Sequence, residues 1–403
     1  MLIHNQLGFL GKGNRRHLLV SGRVFFLAVC FFLAFLVSSC AVLPPVTGGS
    51  SPAGRCLPSF PDKDGWYGGD GAYSIKLDDQ RTLWLFGDTF VAGEPDRKNR
   101  IGMDVVLGTT VGVSTCSENG FHIDYYLKHD GARYVSFFGS DEWLWPQDPF
   151  ILKGVLYIPL LVVRPIQDRT KVFPFRIFGH QFARIKDFSA ADPRQWKYDY
   201  IDLSSSIPRE ISAFAASSVV YGDYVYFYPL YAHESPEGSV VGNILARIPA
   251  AKIEKPAGEI EYLSREGTWV RDLKPDKVKI ILADFVSELS VRYHPALGKW
   301  VAVYLSTVNR GERLVYQTAE RPEGPWSPPK TLLEPIPEVD PQSALYDPNN
   351  FCYAGKEHLE FSDDGKIVAT YVCNSLEDVN KPDGLIRRNL FLYRPVVKEA
   401  SLH

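Results

Sequence analysis

A short apolar run that follows a turn recurs along the chain. The runs begin at positions 83, 155, 224, 300 and 367, so that successive copies are spaced by 72, 69, 76 and 67 residues. A second short apolar segment precedes each turn, and two such segments around a tight turn are typical of a β-hairpin. The pattern predicts five hairpins, with strand pairs at 72–77 and 83–86, 149–152 and 155–159, 214–221 and 224–228, 289–293 and 300–304, and 358–361 and 367–371.

The rest of each unit holds further strand-like runs, of which Thr109–Val113, Phe182–Ile185 and Leu314–Thr318 are examples. Four strands in each of five units predict an all-β protein, a five-bladed β-propeller over residues 60–397. Composition agrees, because 13% aromatic residues with 32 Gly and 29 Pro favour strands and turns over helices. The alternative is a pair of unrelated β domains whose hairpins are evenly spaced.

The first forty residues differ from the rest of the chain. Residues 1–39 hold four basic and no acidic residues, and an unbroken apolar run extends from Val24 to Val37. This pattern predicts a lipoprotein signal peptide over 1–39, because Leu36–Cys40 resembles a bacterial lipobox. We therefore expect a lipid on Cys40, a flexible tether over 40–59 and an extracytoplasmic position on the cell envelope, at the outer membrane where the host has one. The alternatives are an uncleaved anchor or a soluble secreted protein.

The net charge and the cysteine content of the chain bear on which ligands, disulfides and metal sites we expect. The formal net charge of −3 predicts no basic surface for nucleic acid. Four cysteines follow the lipid site, and an extracytoplasmic location permits disulfides, with three pairings open to Cys56, Cys116, Cys352 and Cys373. No CxxC motif or Cys/His cluster is present, so neither a metal nor a cofactor is predicted. We expect a monomer.

Two aspartates flank the first predicted hairpin, and we call Asp70 and Asp88 the acid pair. Pairing about the turn places Asp70 opposite Thr89, one position from Asp88, with glycines beside both aspartates. Cross-strand neighbours have Cβ atoms about 4.5–8 Å apart, a range that covers the carboxyl separations of retaining and inverting glycosidases. Such proximity raises one pKa and yields an acid and a base from one residue type. The alternative is an Asx pair that stabilises the turn.

Further polar and aromatic residues precede the inner strands, and a propeller brings these positions to one mouth of its channel. Aromatic rings stack on sugars, and acids bind their hydroxyl groups. The residues predicted to bind substrate on this reasoning are Trp66, Trp145, Asp148, Glu210, Glu288 and Arg292. The alternatives are core packing for each Trp, a turn cap for each acid, and a structural ion pair between Arg292 and Glu288.

Several segments resemble a known family. Gly69–Ser74, Thr82–Phe90, Glu288–Tyr293 with Lys299–Tyr304, and Gly324–Ser327 are similar to domain-of-unknown-function family 4185. Part of that family is classed as glycoside hydrolase family 183, endo-acting D-arabinanases on a five-bladed propeller. The resemblance spans most of residues 60–395 and implies that the acid pair is catalytic.

Two function classes follow. The first is a glycoside hydrolase that cuts a furanose-containing polysaccharide, with endo-D-arabinanase as the activity that the resemblance implies. The second is a non-catalytic lipoprotein whose propeller binds a glycan or a protein. Fold alone does not separate them, because propellers host both.

Overall fold

The computed structural model describes residues 56–402, apart from 95–96, 140–141, 169–173, 237, 364 and 378–380. The signal peptide at 1–39, the lipid site at Cys40 and most of the tether lie outside the described residues and stay predictions. Within the described ranges, no helix is long and apolar enough to cross a membrane.

Strands dominate the described part of the chain. Short 3₁₀ turns lie at Pro193–Gln195, Ala250–Lys252, Pro275–Lys277, Val308–Arg310 and Leu359–Phe361, and one α-helical turn, α1, at Leu385–Arg388. The strands are β1 (Trp66–Gly69), β2 (Tyr73–Lys76), β3 (Arg81–Phe86), β4 (Thr89–Val91), β5 (Asp104–Val106), β6 (Thr110–Ser117), β7 (Gly120–Tyr125), β8 (Lys128–Asp130), β9 (Arg133–Val135), β10 (Trp143–Pro146), β11 (Phe150–Leu152), β12 (Val155–Pro165), β13 (Phe175–Ile185), β14 (Tyr198–Asp202), β15 (Ile211–Ala213), β16 (Ser218–Tyr221), β17 (Tyr224–Phe227), β18 (Leu230–Ser235), β19 (Gly238–Asn243), β20 (Ala246–Pro249), β21 (Glu261–Leu263), β22 (Trp269–Val270), β23 (Ser290–His294), β24 (Lys299–Leu305), β25 (Leu314–Ala319), β26 (Lys330–Leu333), β27 (Asn350–Glu357), β28 (Lys366–Ser375) and β29 (Val396–Ser401).

The larger sheets are antiparallel and follow one another along the chain. Their strand orders are β2-β3-β6-β7, then β10-β12-β13-β14 with β11 beside β12, then β16-β17-β20-β21-β22, then β23-β24-β25-β26, and last β27-β28-β29. The first strands of neighbouring sheets are in contact, β11 with β16, β16 with β23 and β23 with β27. Ser74 of β2 bonds to His358, which follows β27, at 2.6 Å. The sheets therefore surround a shared axis in a propeller-like arrangement.

Apolar side chains fill the space between consecutive sheets. Phe182 of β13 stacks on Phe227 of β17 with ring centroids 5.8 Å apart. Trp84 of β3 stacks on Phe361, between β27 and β28, at 5.5 Å, so the first sheet packs on the last. The second strands of the large sheets are thus buried on both faces over most of their length, which agrees with their apolar sequences; they are β3, β12, β17, β24 and β28.

Four of the predicted hairpins are confirmed as the pairs β2–β3, β11–β12, β16–β17 and β23–β24. The fifth is wrong in its first strand. Residues 358–361 lie in the 3₁₀ turn region, and the strand that pairs with β28 is Asn350–Glu357. That strand contains Asn, Gly, Lys and Glu, so the apolar pattern did not reveal it.

The two ends of the folded region meet. Arg100 is fully buried and donates to five backbone carbonyls, those of Tyr67, Ile386, Asn389, Leu390 and Leu392, at 2.6–3.0 Å. Arg394 donates to the Phe60 carbonyl oxygen at 3.1 Å. Disulfides join Cys56 to Cys116 and Cys352 to Cys373, which resolves the pairing that the sequence left open.

Candidate functional site

The acid pair lies across the first hairpin, as expected. The Asp70 N–H donates to the Asp88 carbonyl oxygen at 2.9 Å, and the Gly87 N–H donates to the Asp70 carbonyl oxygen at 2.6 Å. Thr89 pairs with Gly69 and not with Asp70, so the observed register differs by one residue from the predicted one. The shift brings the two aspartates directly opposite each other.

A pocket opens beside the pair on the face where the first strands of the sheets begin. Asp70 and Glu288 line it with their carboxyl groups, and Tyr73, Trp145 and Tyr353 contribute aromatic surface. Asp88 adjoins this lining through Trp145. Glu288 approaches through the open space at Gly71, where a Cβ atom would lie 3.0 Å from Glu288 Oε1 and where φ is +61°. Glycine at position 71 therefore gives Glu288 access to the acid pair.

Asp88 is fixed by two donors. Its Oδ1 accepts from the Gly108 N–H at 2.8 Å and from the Trp145 indole N–H at 2.7 Å. Burial raises the pKa of Asp88 to about 7, and the nearby charge of Asp70 adds to the rise, while the two hydrogen bonds oppose it. Asp88 therefore keeps a proton on a substantial share of molecules at neutral pH.

Asp70 lies in a different environment. The pKa of Asp70 is raised to about 6. Burial and then the neighbouring Glu288 raise it, whereas Tyr353 and Lys356 lower it. Its Oδ1 is buried and has no hydrogen-bond partner in the structure. A buried carboxyl oxygen without a partner costs free energy, which marks it as a group held ready for a ligand.

A β-bulge in β27 places the side chains of Tyr353 and Lys356 on the same face of the strand. Tyr353 pairs with Val372 and Lys356 with Thr370, so three steps on β27 match two steps on β28. Side chains three residues apart on a regular strand point to opposite faces, and the extra residue returns both to one face. Ala354, inside the bulge, has a φ of +57°. Tyr353 thereby lines the pocket, and Lys356 Nζ lies 3.4 Å from Glu288 Oε1 and 4.1 Å from the Tyr73 ring centroid.

The remaining predicted residues divide in two groups. Trp145 and Glu288 line the pocket. Trp66 does not, and the prediction that it binds substrate is corrected. It has 0% exposure, and its ring stacks on Tyr125 at 4.5 Å in the core of the protein.

Asp148 and Arg292 are also removed from direct contact with the pocket. They form a bidentate ion pair at 2.7 and 2.9 Å, and Asp148 also accepts from Ser217 Oγ and the Ser218 N–H. Asp148 is 1% exposed and fully satisfied, so it supports the channel, and Arg292 pairs with it and not with Glu288. Glu210 lies near Arg209 and His233, outside the pocket lining.

Tyr353, Lys356 and Tyr393 were missed by the sequence analysis. Asp70 and Asp88 raise the pKa of the buried Tyr393 hydroxyl beyond the effect of burial itself, which places it near the acid pair. Tyr393 follows the segment that Arg100 holds. No local sequence motif indicates that these residues belong to the site, because pairing between distant parts of the chain brings them to the first hairpin. The described residues hold one cluster of metal-ligand types, Glu338 with two cysteines, and those cysteines form a disulfide.

Fold and site together define an all-β, propeller-like protein with a pocket built around buried carboxyl groups. A family model described as a domain of unknown function (DUF5005) matches residues 59–396, and the chain belongs to that family. The matching model is not that of family 4185, so the resemblance to that family stays a prediction. A comparison with curated proteins finds no significant match.

Several solved structures are similar to this chain. A protein of Bacteroides ovatus ATCC 8483 described as a candidate hydrolase is 15% identical over 83% of this chain and 85% of that chain, with a TM-score of 0.62. The GH43_1 enzyme from Xanthomonas citri, complexed with xylotriose, is 13% identical over 86% and 91%, with a TM-score of 0.44. CoXyl43, a GH43 β-xylosidase/α-arabinofuranosidase from a compost metagenome, is 14% identical over 84% and 92%, with a TM-score of 0.44.

Proposed function

We propose that the protein is a glycoside hydrolase on a five-bladed β-propeller and that the acid pair performs its chemistry. The observation that carries the proposal is the direct opposition of Asp70 and Asp88 beside a pocket, with one backbone hydrogen bond from Asp70 to Asp88 and a second from Gly87 to Asp70. Glycoside hydrolysis needs two carboxyl groups of different protonation on either side of the scissile bond. The five large sheets, each packed on the next, are the proposed blades.

The environments of the pair suggest the two roles. Asp88 has the higher pKa, about 7, and acts as the general acid that protonates the leaving oxygen. Its Oδ1 is occupied by two N–H donors, which leaves Oδ2 to carry the proton. Asp70, with a pKa of about 6 and an unpartnered Oδ1 on the pocket wall, acts as base or nucleophile. Glu288 is the third carboxyl group and faces the substrate directly.

The pocket favours a neutral sugar. Three carboxyl groups converge there, and Lys356 offsets one of them. A uronate or a phosphate would meet repulsion of several kcal/mol in such a site, by the order of magnitude for like charges brought together. Trp145 offers an apolar face on which a sugar ring can stack. These features, with the resemblance to family 4185, support a furanose-containing polysaccharide, and endo-D-arabinanase is the proposed activity.

The N-terminal sequence supports a lipid-anchored enzyme on the outer side of the cell envelope. A polysaccharide is too large to cross a membrane unaided, so an enzyme that cuts one internally gains from an extracytoplasmic anchor. The proposal rests on Leu36–Cys40 and the apolar run before it.

The test is release of oligosaccharides. The full chain, purified in detergent, is incubated with D-arabinan-containing polysaccharides, other arabinans, arabinogalactan and unrelated glycans, and the products are separated by mass. Asp70→Asn and Asp88→Asn should each lower turnover at least about a hundredfold, because acid–base groups contribute about that much. Asp187→Asn, in an exposed turn where the side chain bonds to Ser189, is the matched control and should retain activity.

The variants also distinguish the roles of the three carboxyl groups. Near-normal activity in both Asn variants would show that the acid pair is not catalytic. If Glu288→Gln lost activity while Asp88→Asn kept it, Glu288 would be the partner of Asp70. A wild-type protein that binds one glycan of the panel and cleaves none would establish the binding function instead.

A further inference from the structure

We propose that the β27 bulge supplies two positioning residues, Tyr353 and Lys356, which hold Asp70 as a carboxylate inside a pocket crowded with acids. The inference rests on the proposed function, because it explains how one of three neighbouring carboxyl groups stays ready to act as base or nucleophile. Neither residue was singled out by the sequence, and they act through Asp70.

The hydroxyl group of Tyr353 is the first element of the argument. Its side chain is 9% exposed, its hydroxyl oxygen is buried without a hydrogen-bond partner, and it lines the pocket. Tyr353 and Asp70 line the same pocket and act on each other's ionisation, and the Asp70 Oδ1 atom is likewise buried without a hydrogen-bond partner. Burial and the negative charge of Asp70 raise the pKa of Tyr353 far above the usual range, so the phenol remains a donor. A donor that faces a carboxylate stabilises the charged form.

Lys356 is the second element. It is 2% exposed, and its ammonium group lies 3.4 Å from Glu288 Oε1 and over the Tyr73 ring. A lysine is this deeply buried only when it is paired. The ammonium group offsets the charge of Glu288, the carboxyl group that acts most strongly against ionisation of Asp70 after burial itself. Lys356 also lowers the pKa of Asp70 directly.

The bulge is what allows one strand to supply both groups. Gly355 lies so close to the fourth sheet that a Cβ atom there would be 2.4 Å from the Leu305 nitrogen. Without the extra residue, a lysine three positions after Tyr353 would point away from the pocket. The charged and titratable groups that face Asp70 from all elements around it are Tyr73, Asp88, Glu288, Tyr353, Lys356 and Tyr393.

The experiment follows the titration of Asp70 directly. The full chain is labelled with ¹³Cγ-aspartate, and the Asp70 signal is assigned by its loss in Asp70→Asn. Wild type, Tyr353→Phe, Lys356→Met and Glu288→Gln are titrated by NMR. Tyr304→Phe and Lys128→Met are matched controls, since Tyr304 bonds to Gln317 within the fourth sheet and Lys128 bonds to the Phe137 carbonyl oxygen.

Tyr353→Phe and Lys356→Met should each raise the pKa of Asp70 by about 0.5–1 unit, which corresponds to the net contribution of one ordinary hydrogen bond. Glu288→Gln should lower it, and the controls should leave it unchanged. In activity assays the acidic limb of kcat/KM should move in the same directions. A rise of one unit from about 6 would cost roughly fivefold at pH 6 relative to wild type and little at pH 8.

The two proposals fail separately. If no glycan is cleaved but the pKa of Asp70 shifts as stated, the positioning role is supported and the hydrolase function is refuted. If a glycan is cleaved but Tyr353→Phe and Lys356→Met leave the titration of Asp70 unchanged, the positioning role is refuted. If Lys356→Met does not fold, Tyr353→Phe and Glu288→Gln decide alone, because they must shift the titration in opposite directions.

Discussion

Replacing Arg100 with Met removes five hydrogen bonds from the place where the two ends of the fold meet. Three of the five carbonyl acceptors, those of Tyr67, Ile386 and Leu392, are reached through fully buried bonds, and the other two are partly accessible. A buried polar group left without a partner costs about 1–3 kcal/mol, whereas the accessible carbonyls regain water. Met fills the volume and spares the burial of a charge. We expect Arg100→Met to lower the free energy of unfolding by about 3–5 kcal/mol.

The assay is chemical denaturation followed by tryptophan fluorescence, with the shift in midpoint converted through the measured slope. Arg194→Met is the matched control, because Arg194 is at the surface, where it pairs with Asp192 and lies over the Tyr126 ring, and its replacement should cost less than about 1 kcal/mol. Arg100→Lys should fall between the two, since its three donors replace part of the five. A loss below about 1 kcal/mol in Arg100→Met would refute the reasoning, because the carbonyls would then have other partners.

Two further predictions come from the structure and a third from the N-terminal sequence. The pKa values of the acid pair are about 6 and 7 in the folded protein, above the usual 3.8, so stability present near pH 4 should be lost as the pH rises through 6–7. At pH 8 the Asn variants of the pair should be more stable than wild type, on the order of 2 kcal/mol. Denaturation curves of the variants and the wild type that coincide at both pH 4 and pH 8 would contradict this. Removing the Cys56–Cys116 disulfide by double Ser substitution should lower the free energy of unfolding by about 1 kcal/mol more than removing Cys352–Cys373, because its loop of 60 residues is longer than the loop of 21. Equal losses in the denaturation midpoints, or a larger loss for Cys352–Cys373, would contradict this prediction. Cys40→Ser should abolish acylation and membrane retention, and mass spectrometry that shows an unmodified Cys40 in the wild type would overturn the lipoprotein assignment.

The first hairpin was predictable because its signals are local. The acid pair is separated by 18 positions, and a turn lies between the two strands, so counting outward from the turn places the aspartates within one residue of their observed register. The four confirmed hairpins were found for the same reason. Their apolar runs are buried on both sides and therefore stand out in the sequence.

The rest of the site depends on contacts that no local pattern encodes. Asp148 precedes an inner strand as Asp70 does, yet it is neutralised by Arg292, 144 positions later. Trp66 is close to Asp70 in sequence, but its ring packs on Tyr125 in the core. Tyr353 and Lys356 were not predicted because the strand that carries them, Asn350–Glu357, has no clear apolar pattern, and a regular strand would place the two side chains on opposite faces.

The bulge in β27 also bears on how relatives of this protein should be aligned. Ala354 and Gly355 contribute one residue more than the partner strand requires, so a relative with a regular strand would be one residue shorter at this point. An alignment without a gap would then equate Lys356 with a residue that faces the opposite side of the sheet. Placing the gap at Ala354–Gly355 would instead match side chains that share a face. We expect a lysine at the position of Lys356 in relatives that keep the extra residue.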